Sequence, residues 1–427
     1  MVEVVWRRVA GKQGAQLRSG PGLDTAKVGL VPKGARVCVA ESVTLPESAK
    51  VRCRLTHPTA GWCSEKLLGA PLAPPTPPPP PLPADAAAIA ALFPSVPRER
   101  RVETEKAVDD ALAASYKPSI AYVQSYPARD VDDFVARRRS GEIAPDARVV
   151  VCVGDSITHG DPCCSPDWVA ALQRRHPDVA FVNAGVGGDL AHNVRARVRG
   201  VVTRVGSVDA FTLLVGTNDA RFRGGAAGTC SDPMTNSYYA AQKKVPFTWK
   251  RDPGLGGAGF PSNDRYLADV AATIATLAEA SPNAPILLLS VPPLGDKVVF
   301  GAGAQAHDDD AEAAHVDGEI RSMNAGLTAL AAQTPRAEYL PFYERCADRL
   351  AALPAAKTPY SARWSNAIVA DANKGRAVHG RTYDAIGAGL GLYGCCDMIH
   401  PTEQAAALAL ALVEGALPDL LPVARPV

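Results

Sequence analysis

The chain has little net charge, because 45 Lys and Arg residues stand against 44 Asp and Glu residues. It therefore lacks the basic surplus that indicates a nucleic-acid partner. It also lacks an apolar run of the roughly 18–20 residues that a membrane-spanning helix needs. Residues 1–8 do not combine a basic segment with an apolar stretch, so we expect no secretory signal in the chain as given. By default, these absences predict a soluble, cytoplasmic protein.

Cysteine is also scarce, with ten residues in a chain of 427. This number is too small for a disulfide scaffold, and no CxxC pair indicates a zinc site. Apolar residues are not scarce, because 47% of the chain is hydrophobic, which excludes a wholly disordered protein. A chain of this length predicts two or three domains.

A proline tract divides the chain. Residues 71–83 read PLAPPTPPPPPLP, which favours a semi-rigid polyproline II spacer because proline fixes φ and has no N–H to donate. A ligand for an SH3 or WW module is the alternative interpretation. We predict a small β domain over 1–68, a linker over 69–84, a helical extension over 85–147 and an α/β domain over 148–420. In the extension, apolar residues at helical spacing predict helices over 101–112 and 130–136.

Short valine-rich runs before the tract predict β-strands at 28–34, 35–40 and 49–55, and their spacing favours a small all-β barrel. With Leu17–Gly22 (LRSGPG), Lys33-Gly34 and Gly61-Trp62, the segment resembles bacterial SH3-like domains. The resemblance implies a glycan or peptide ligand. A β barrel without a ligand is the alternative.

Beyond residue 148, apolar strands alternate with helices. Strands are predicted at 148–153, 179–182, 210–215, 285–290 and 338–342, and helices at 167–176, 190–202, 266–280, 318–332 and 402–412. Because the strands are apolar throughout, both of their faces are buried, as in a parallel sheet covered by helices. Ligands of such sheets bind beyond the carboxyl ends of the strands.

Polar residues follow these strands at the places where a ligand is expected. Gly154-Asp155-Ser156 follows the first strand and puts a serine on a tight turn that leads into a helix. Residues 183–189 (NAGVGGD) follow the second, and their glycines let backbone N–H groups approach a ligand closely. Residues 216–219 (GTND) follow the third and supply an uncharged amide.

A last motif lies near the carboxyl terminus, where Asp397 precedes His400 by three residues and Pro401 follows. Proline biases His400 away from the α region and can itself open the next helix, which would hold the imidazole on a loop. Together the motifs supply the parts that acyl transfer requires. We predict that Ser156 is the nucleophile, that His400 is its general base and that Asp397 orients His400.

These motifs resemble those of the SGNH, or GDSL-type, hydrolases over about residues 145–418. The family's Ser, Gly, Asn and His fall on Ser156, Gly188, Asn218 and His400, with Gly187 as the alternative glycine. The resemblance implies a flavodoxin-like three-layer α/β/α sandwich with a five-stranded parallel sheet, and neither a metal nor an organic cofactor. It also implies an oxyanion hole made by the N–H groups of Ser156 and Gly188 and the side-chain amide of Asn218.

Several polar residues beside these motifs receive weaker roles. We predict that Asp155, His159 and Asp219 contact the substrate. Residues 389–394 (GLGLYG) fit a dinucleotide fingerprint, but no clear strand precedes them, so we interpret them as the approach to the Asp397 loop. Residues 307–315, with a His at each end, are interpreted as the acid-rich start of a helix and not as a metal site.

Two adjacent cysteine pairs, Cys163-Cys164 and Cys395-Cys396, lie on the predicted nucleophile and base loops. A disulfide between the two loops would hold the nucleophile and the base in one geometry. Reduced, buried thiols are the alternative, and the sequence leaves both interpretations open.

The predicted pocket walls are the long segments 220–263 and 361–394. The first is rich in glycine and basic residues, which suits a polar alcohol better than a long acyl chain. We therefore expect a serine esterase that removes acyl groups, such as acetyl, from carbohydrates or other small polar esters. The alternatives are a lipase, lysophospholipase or thioesterase-like acyl hydrolase, and a catalytically inactive glycan-binding protein.

Overall fold

A computed structural model of the chain describes residues 5–9, 15–19, 25–31, 36–45, 50–57, 61–72, 86–96, 101, 130–161, 165–223, 262–296, 308–353, 369, 372–390 and 392–421. The chain divides into two compact units, Met1–Pro79 with Ala329–Pro335, and Pro80–Thr328 with Arg336–Val427. None of the helices within the described residues has the length and apolarity to cross a membrane.

The first unit contains a seven-stranded antiparallel sheet with the order β3-β2-β6-β5-β4-β1-β7. Its strands are β1 (Val5–Val9), β2 (Ala15–Arg18), β3 (Lys27–Val31), β4 (Arg36–Leu45), β5 (Lys50–His57), β6 (Gly61–Ser64) and β7 (Leu68–Leu72). The three predicted strands are confirmed as β3, β4 and β5. Alternate residues of the sheet build a small apolar core of Ala15, Leu17, Cys53, Leu55, Cys63 and Leu68.

The last strand of this unit extends beyond the predicted boundary at residue 68. In β7, Pro71 is the register partner of Arg7 in β1, and β7 lies at the edge of the sheet. An edge strand tolerates proline because one side of the strand needs no N–H donor. The sheet therefore includes residues that the sequence assigned to the linker. Residues 73–85 lie outside the described residues, so the spacer itself stays a prediction.

The second unit is built on a five-stranded parallel sheet with the order β12-β11-β10-β8-β9. The strands are β8 (Arg148–Gly154), β9 (Val179–Gly185), β10 (Ala210–Leu214), β11 (Ile286–Leu289) and β12 (Ala337–Leu340). All five predicted strands are confirmed. The inner strand β8 is buried from Val149 to Val153, as its unbroken apolar sequence requires.

Helices connect these strands and pack in two groups. The helices are α1 (Ala86–Leu92), α2 (Val131–Arg139), α3 (Ser156–His159), α4 (Trp168–Arg175), α5 (Ala191–Val205), α6 (Thr217–Arg223), α7 (Asn263–Ala280), α8 (Asp308–Gln333), α9 (Phe342–Ala352), α10 (Tyr383–Gly389) and α11 (Glu403–Ala416). One group contains α2, α5 and α7, and the other contains α1, α4, α9 and α11. The five helices predicted after residue 148 are confirmed as α4, α5, α7, α8 and α11.

The fifth strand and the helical extension agree with the sequence only in part. The fifth strand was predicted to reach Phe342, but it ends at Leu340, Pro341 follows, and α9 begins at Phe342. Pro341 is the N-cap of α9, and its fixed φ suits the start of a helix. In the extension, the helix predicted at 130–136 is confirmed as α2, whereas 102–112 lies outside the described residues.

Candidate active site

The carboxyl ends of three neighbouring strands lie level with one another. Gly154 at the end of β8 is the register partner of both Gly185 in β9 and Leu214 in β10. The polar segments that follow these strands therefore begin side by side at one edge of the sheet. This is the edge at which parallel sheets bind their ligands.

The chain turns sharply after β8 and places Ser156 at the start of the short helix α3. Asp155 caps this helix, because its Oδ1 accepts the N–H of Ile157 at 3.0 Å. The indole Nε1 of Trp168 donates to the carbonyl oxygen of Ile157 at 3.0 Å and fixes the helix from the other side. The hydroxyl of Ser156 is thereby held on a short, doubly anchored turn.

The end of β9 packs directly against the backbone of α3. A Cβ atom added at Gly185 would lie 2.2 Å from the backbone N of His159 and 2.7 Å from the carbonyl carbon of Thr158. Both of these neighbours are backbone atoms, which cannot rotate away as a side chain can. Only glycine therefore fits at this position.

The structure brings the three predicted catalytic side chains together. His400 Nε2 lies 2.8 Å from Ser156 Oγ, and His400 Nδ1 lies 2.8 Å from Asp397 Oδ2. With its Nδ1–H donated to Asp397, the imidazole presents an unprotonated Nε2 that can accept the hydroxyl proton of Ser156. Asp397 is fully buried, and Ser156 and His400 are only 6% and 5% exposed.

The loop that carries Asp397 and His400 is closed by its own hydrogen bonds. Asp397 Oδ1 accepts the N–H groups of Ile399 and His400 at 3.1 and 2.7 Å, so the same carboxylate holds both the ring and the backbone of the histidine. The N–H of Cys396 donates to the carbonyl oxygen of His400 at 2.8 Å. The turn places Met398 at a φ of 71°, in the left-handed region.

The helix after this loop, α11, begins at Glu403, one residue beyond the predicted start at 402, and Thr402 is its N-cap. The hydroxyl of Thr402 accepts the N–H of Ala405, which satisfies one donor of the first turn. His400 lies on the loop, as predicted.

The three predicted oxyanion donors lie on the segments that meet at this edge. Gly188 has a φ of 74°, which glycine adopts without strain. Within the described parts of the chain, neither its N–H nor that of Ser156 has a hydrogen-bond acceptor. Asn218 Nδ2 donates one hydrogen to the carbonyl oxygen of Asp189 at 3.0 Å, which leaves its second hydrogen for another acceptor. The Asn218 amide therefore touches the turn that carries Gly188.

Arg197 on α5 links that turn to the end of β8 by hydrogen bonds. Its guanidinium donates to Asp189 Oδ2 at 2.7 Å and to the carbonyl oxygens of Ala184 and Gly154, each at 2.9 Å. The side chain is 3% exposed, so the ion pair with Asp189 is shielded from water. The residues before Ser156 and after Gly188 are thus held by one buried cation.

Two of the three predicted substrate contacts, Asp155 and Asp219, are fully buried. Asp219 accepts the N–H of Ala191 at 3.1 Å at the start of α5, and the substrate contacts of both residues stay predictions. His159 is half-buried, with Nδ1 at 3.3 Å from the carbonyl oxygen of Gly160, and its substrate contact stays a prediction.

The environment of Asp155 also shifts the pKa of its carboxyl group. Burial raises the pKa of Asp155 to about 7, and the N–H of Ile157 and the neighbouring His400 only partly oppose this rise. Its Oδ2 has no hydrogen-bond partner among the described residues. A carboxyl group in this position is suited to capping α3.

The sequence analysis missed a cluster of polar side chains around Asp161, which follows α3. Asp161 accepts a hydrogen bond from the hydroxyl of Tyr383 at 2.8 Å and forms an ion pair with Arg376 at 3.0 Å. The Arg376 guanidinium also stacks 4.8 Å from the centre of the Tyr383 ring. This cluster joins the residues after α3 to the described part of the predicted wall at 361–394. No local pattern indicated it, because its members are far apart in the chain.

The structure also describes parts of the predicted glycine motif and of the acid-rich segment. The helix α10 ends at Gly389 and no helix begins within 392–400, so the glycine motif there lacks the helix that a dinucleotide site needs. The acid-rich segment begins α8 at Asp308, as predicted. Among the described residues, no group of three or more His, Cys, Asp and Glu is arranged to hold a metal ion. Residues 224–261 of the other predicted wall lie outside the described residues.

Cys395 does not take part in the proposed disulfide. It is a free, buried thiol whose Sγ lies 3.6 Å from the carbonyl oxygen of Pro293 and 3.8 Å from that of Gly295. Burial raises the pKa of this thiol well above its usual value, which keeps it protonated and unreactive. Cys163 and Cys164 lie outside the described residues, so a pairing that involves Cys396 stays untested.

Comparison with known proteins gives the chain a family. A family model described as GDSL-like Lipase/Acylhydrolase family matches residues 152–408. No curated protein matches the chain. Solved structures that resemble it include a lipase/acylhydrolase from Enterococcus faecalis (14% identity, 66% of this chain and 98% of that one, TM-score 0.34), a carbohydrate acetylesterase from Sinorhizobium meliloti (12%, 63% and 97%, TM-score 0.33) and an aryl esterase from M. smegmatis (14%, 64% and 100%, TM-score 0.34).

The assignment of the chain to a family rests on the family model alone. Its match covers more than half of the chain and contains every residue of the site described above. The chain therefore belongs to the GDSL-like lipase/acylhydrolase family and is a hydrolase of carboxylic esters.

Proposed function

We propose that the protein hydrolyses its ester substrate by a Ser-His-Asp mechanism. The observation that carries this proposal is the continuous hydrogen-bond chain from Ser156 Oγ through both ring nitrogens of His400 to Asp397 Oδ2, with 2.8 Å at each link. A serine hydroxyl is a weak nucleophile, and a base at this distance activates it.

The reaction follows in two steps. Ser156 Oγ attacks the carbonyl carbon of the ester while its proton passes to His400 Nε2, and the imidazolium is stabilised by Asp397. The imidazolium then protonates the alcohol oxygen as the bond to the carbonyl carbon breaks, which leaves an acyl group on Ser156. A water molecule gives its proton to His400 and attacks this acyl-enzyme, and the acid leaves as the Ser156 hydroxyl is restored.

Negative charge develops on the carbonyl oxygen in both steps. We propose that the N–H groups of Ser156 and Gly188 and the side-chain amide of Asn218 stabilise it. The position of Asn218 supports this role, since its hydrogen bond to the carbonyl oxygen of Asp189 fixes the direction of the remaining N–H. Donors that are fixed before the reaction cost no reorganisation when the charge appears.

Replacing Asn218 tests this part of the proposal. We expect Asn218→Ala to lower kcat about 10²–10³-fold with little change in KM, because the lost hydrogen bond forms mainly in the transition state. Asn218→Asp keeps the shape of the side chain but removes its donor, so it should lose as much. A kcat within twofold of the wild type in both folded variants would remove Asn218 from the oxyanion hole.

For the substrate, we propose a small acyl group, such as acetyl, on a carbohydrate or another polar alcohol. The basic residues and Trp249 of segment 220–263 support a polar partner, and the low exposure of Ser156 supports a short acyl chain. A wide, apolar entrance would instead be expected for a long acyl chain.

A series of p-nitrophenyl esters with one common leaving group tests this preference. We expect kcat/KM for the acetyl ester to exceed that for the octanoyl ester by at least about tenfold, since a site that excludes the longer chain prevents its carbonyl carbon from reaching Ser156 Oγ in the reactive geometry. A preference for octanoate would instead assign the protein to the lipases, lysophospholipases or thioesterases.

We also propose the finer architecture that the sequence suggested. The order of the five parallel strands, numbered along the chain, is 2-1-3-4-5, which is the order of flavodoxin-like folds. Right-handed crossovers in this order put helices on both faces of the sheet, which gives three layers over about 148–420. For the antiparallel sheet of the first unit, we keep the proposal of an SH3-like barrel with a glycan or peptide ligand.

A further inference from the structure

The segment after the fourth strand holds a buried carboxylate that the mechanism above does not use. Asp296 follows β11 in the sequence Pro292-Pro293-Leu294-Gly295-Asp296 and is fully buried. An ionised carboxylate in such a place is costly unless hydrogen-bond donors surround it. The donors around Asp296 therefore indicate what the residue is for.

Three consecutive backbone N–H groups supply those donors. Asp296 Oδ1 accepts the N–H of Gly394 at 2.9 Å and that of Cys395 at 3.3 Å, and Oδ2 accepts the N–H of Tyr393. All three belong to the loop that carries the candidate catalytic pair. Hydrogen bonds to a charged group are about twice as strong as neutral ones, so this carboxylate fixes the backbone of the loop firmly.

The same short segment contacts the loop at further points. The N–H of Gly295 donates to the carbonyl oxygen of Met398 at 2.9 Å, between Asp397 and His400. The Sγ of Cys395 lies against the carbonyl oxygens of Pro293 and Gly295. Residues 392–400 contain no helix or extended strand to hold their shape. Residues 293–296 therefore hold the backbone of this loop in place through hydrogen bonds.

We infer that Asp296 is a positioning residue, which holds the loop so that Asp397 and His400 meet Ser156 in hydrogen-bond geometry. The inference rests on the proposed Ser-His-Asp mechanism. Asp397 follows Cys395, the last of the three donors, by two residues, so a displacement of that backbone moves the carboxylate that orients His400. Displacements of about 1 Å in such a site can cost about 10²-fold in rate.

Asparagine at position 296 would disturb this contact without changing its size. An amide has one acceptor oxygen where the carboxylate has two, and its NH₂ group would face N–H donors of the loop. We expect Asp296→Asn to lower kcat for p-nitrophenyl acetate about 10–100-fold and to leave KM within about twofold, because the acyl pocket is unchanged while the base is misplaced. The rate of labelling by a fluorophosphonate probe should fall by the same factor as kcat.

Asp209, an exposed carboxylate at the opposite edge of the sheet, provides a control. Its Oδ2 also accepts a backbone N–H, from Val149 at the start of β8, at 2.7 Å. Asp209→Asn should therefore leave kcat and the labelling rate at wild-type values. An equal loss in both variants would mean that any lost carboxylate harms the enzyme, and this result would overturn the inference.

A second variant keeps the test decisive if Asp296→Asn does not fold. A Cβ at Gly394 would lie 3.2 Å from Asp296 Oδ1, so Gly394→Ala strains the same contact from the loop side and leaves the carboxylate in place. It should also lower kcat more than it changes KM. Wild-type kcat in Gly394→Ala and in any folded Asp296→Asn would refute the positioning role. If instead Ser156→Ala hydrolysed esters like the wild type, the proposed mechanism itself would be refuted.

Discussion

Alanine at position 156 is expected to lower kcat for p-nitrophenyl acetate by about 10⁴–10⁶-fold and to leave the protein folded. The substitution removes only the hydroxyl whose oxygen lies 2.8 Å from His400 Nε2. Without it, the base has no nucleophile to activate, and the oxyanion donors alone can give only residual catalysis. A steady-state assay with the purified variant measures kcat, and circular dichroism with a thermal melt confirms the fold.

Ser165→Ala is the matched control for this experiment. Ser165 is fully buried in the same unit, and its hydroxyl has no hydrogen-bond partner within the described residues. This variant should keep wild-type turnover and should still react with a fluorophosphonate probe, whereas Ser156→Ala should not react. Labelling of Ser156→Ala would exclude Ser156 as the nucleophile. A wild-type protein that neither reacts with the probe nor cleaves any ester would instead be a binding protein.

Asparagine at position 397 is expected to lower kcat by about 10³–10⁴-fold. Asp397 Oδ2 accepts the Nδ1–H of His400, and Oδ1 accepts two backbone N–H groups. An amide cannot satisfy both sides, because its NH₂ group must face either the ring or the backbone donors. If it faces the ring, it favours the imidazole tautomer with the proton on Nε2, which cannot accept the proton of Ser156. The same steady-state assay measures the loss.

Non-additivity supplies the internal control for this second prediction. The three residues act as one unit, so adding Asp397→Asn to His400→Ala should lower kcat little further than His400→Ala alone. Independent, multiplicative losses would argue that Asp397 acts elsewhere, for example only on stability. A folded Asp397→Asn variant with a kcat within tenfold of the wild type would contradict its assignment as the orienting carboxylate.

The sequence predicted the strands of the parallel sheet and the segments at their ends for a simple physical reason. Strands buried on both faces are apolar throughout, so β8 to β11 stand out against their polar surroundings, whereas the edge strand β12 is only partly buried and has Glu338 exposed. Their carboxyl ends must meet at one edge, so a local motif such as Gly154-Asp155-Ser156 could be assigned to the site without any three-dimensional information. The later motif at Asp397 and His400 was recognisable by its own spacing.

The remainder of the site depends on contacts that a sequence does not display. The partners of Asp296 are backbone N–H groups, which every residue except proline has, so no residue pattern reveals them. The one local signal is the position of Asp296 after the fourth strand, at the edge of the sheet where the site lies. Arg197 is separated from the other arginines of α5 only by its helical spacing from Val194 and Val201, and that spacing does not reveal its partners. The burial of Asp155 and Asp219 likewise follows from packing and not from spacing.

The first unit was predicted from alternation of apolar and polar residues, which is a sound signal for a half-buried strand. The alternation of apolar and polar residues does not reveal β7, because proline-rich composition begins within this strand. Proline excludes only a strand that needs all of its N–H groups, and an edge strand does not. Composition therefore predicted the spacer a few residues too early.

The close packing of Gly185 against the nucleophile helix limits how this enzyme could be redesigned. A randomised library aimed at a broader substrate range gains nothing at position 185, since even a methyl group would meet backbone atoms of Thr158 and His159. Side-chain variation that is meant to change the substrate range therefore has to be placed at other positions, where an added methyl group does not meet the backbone of α3.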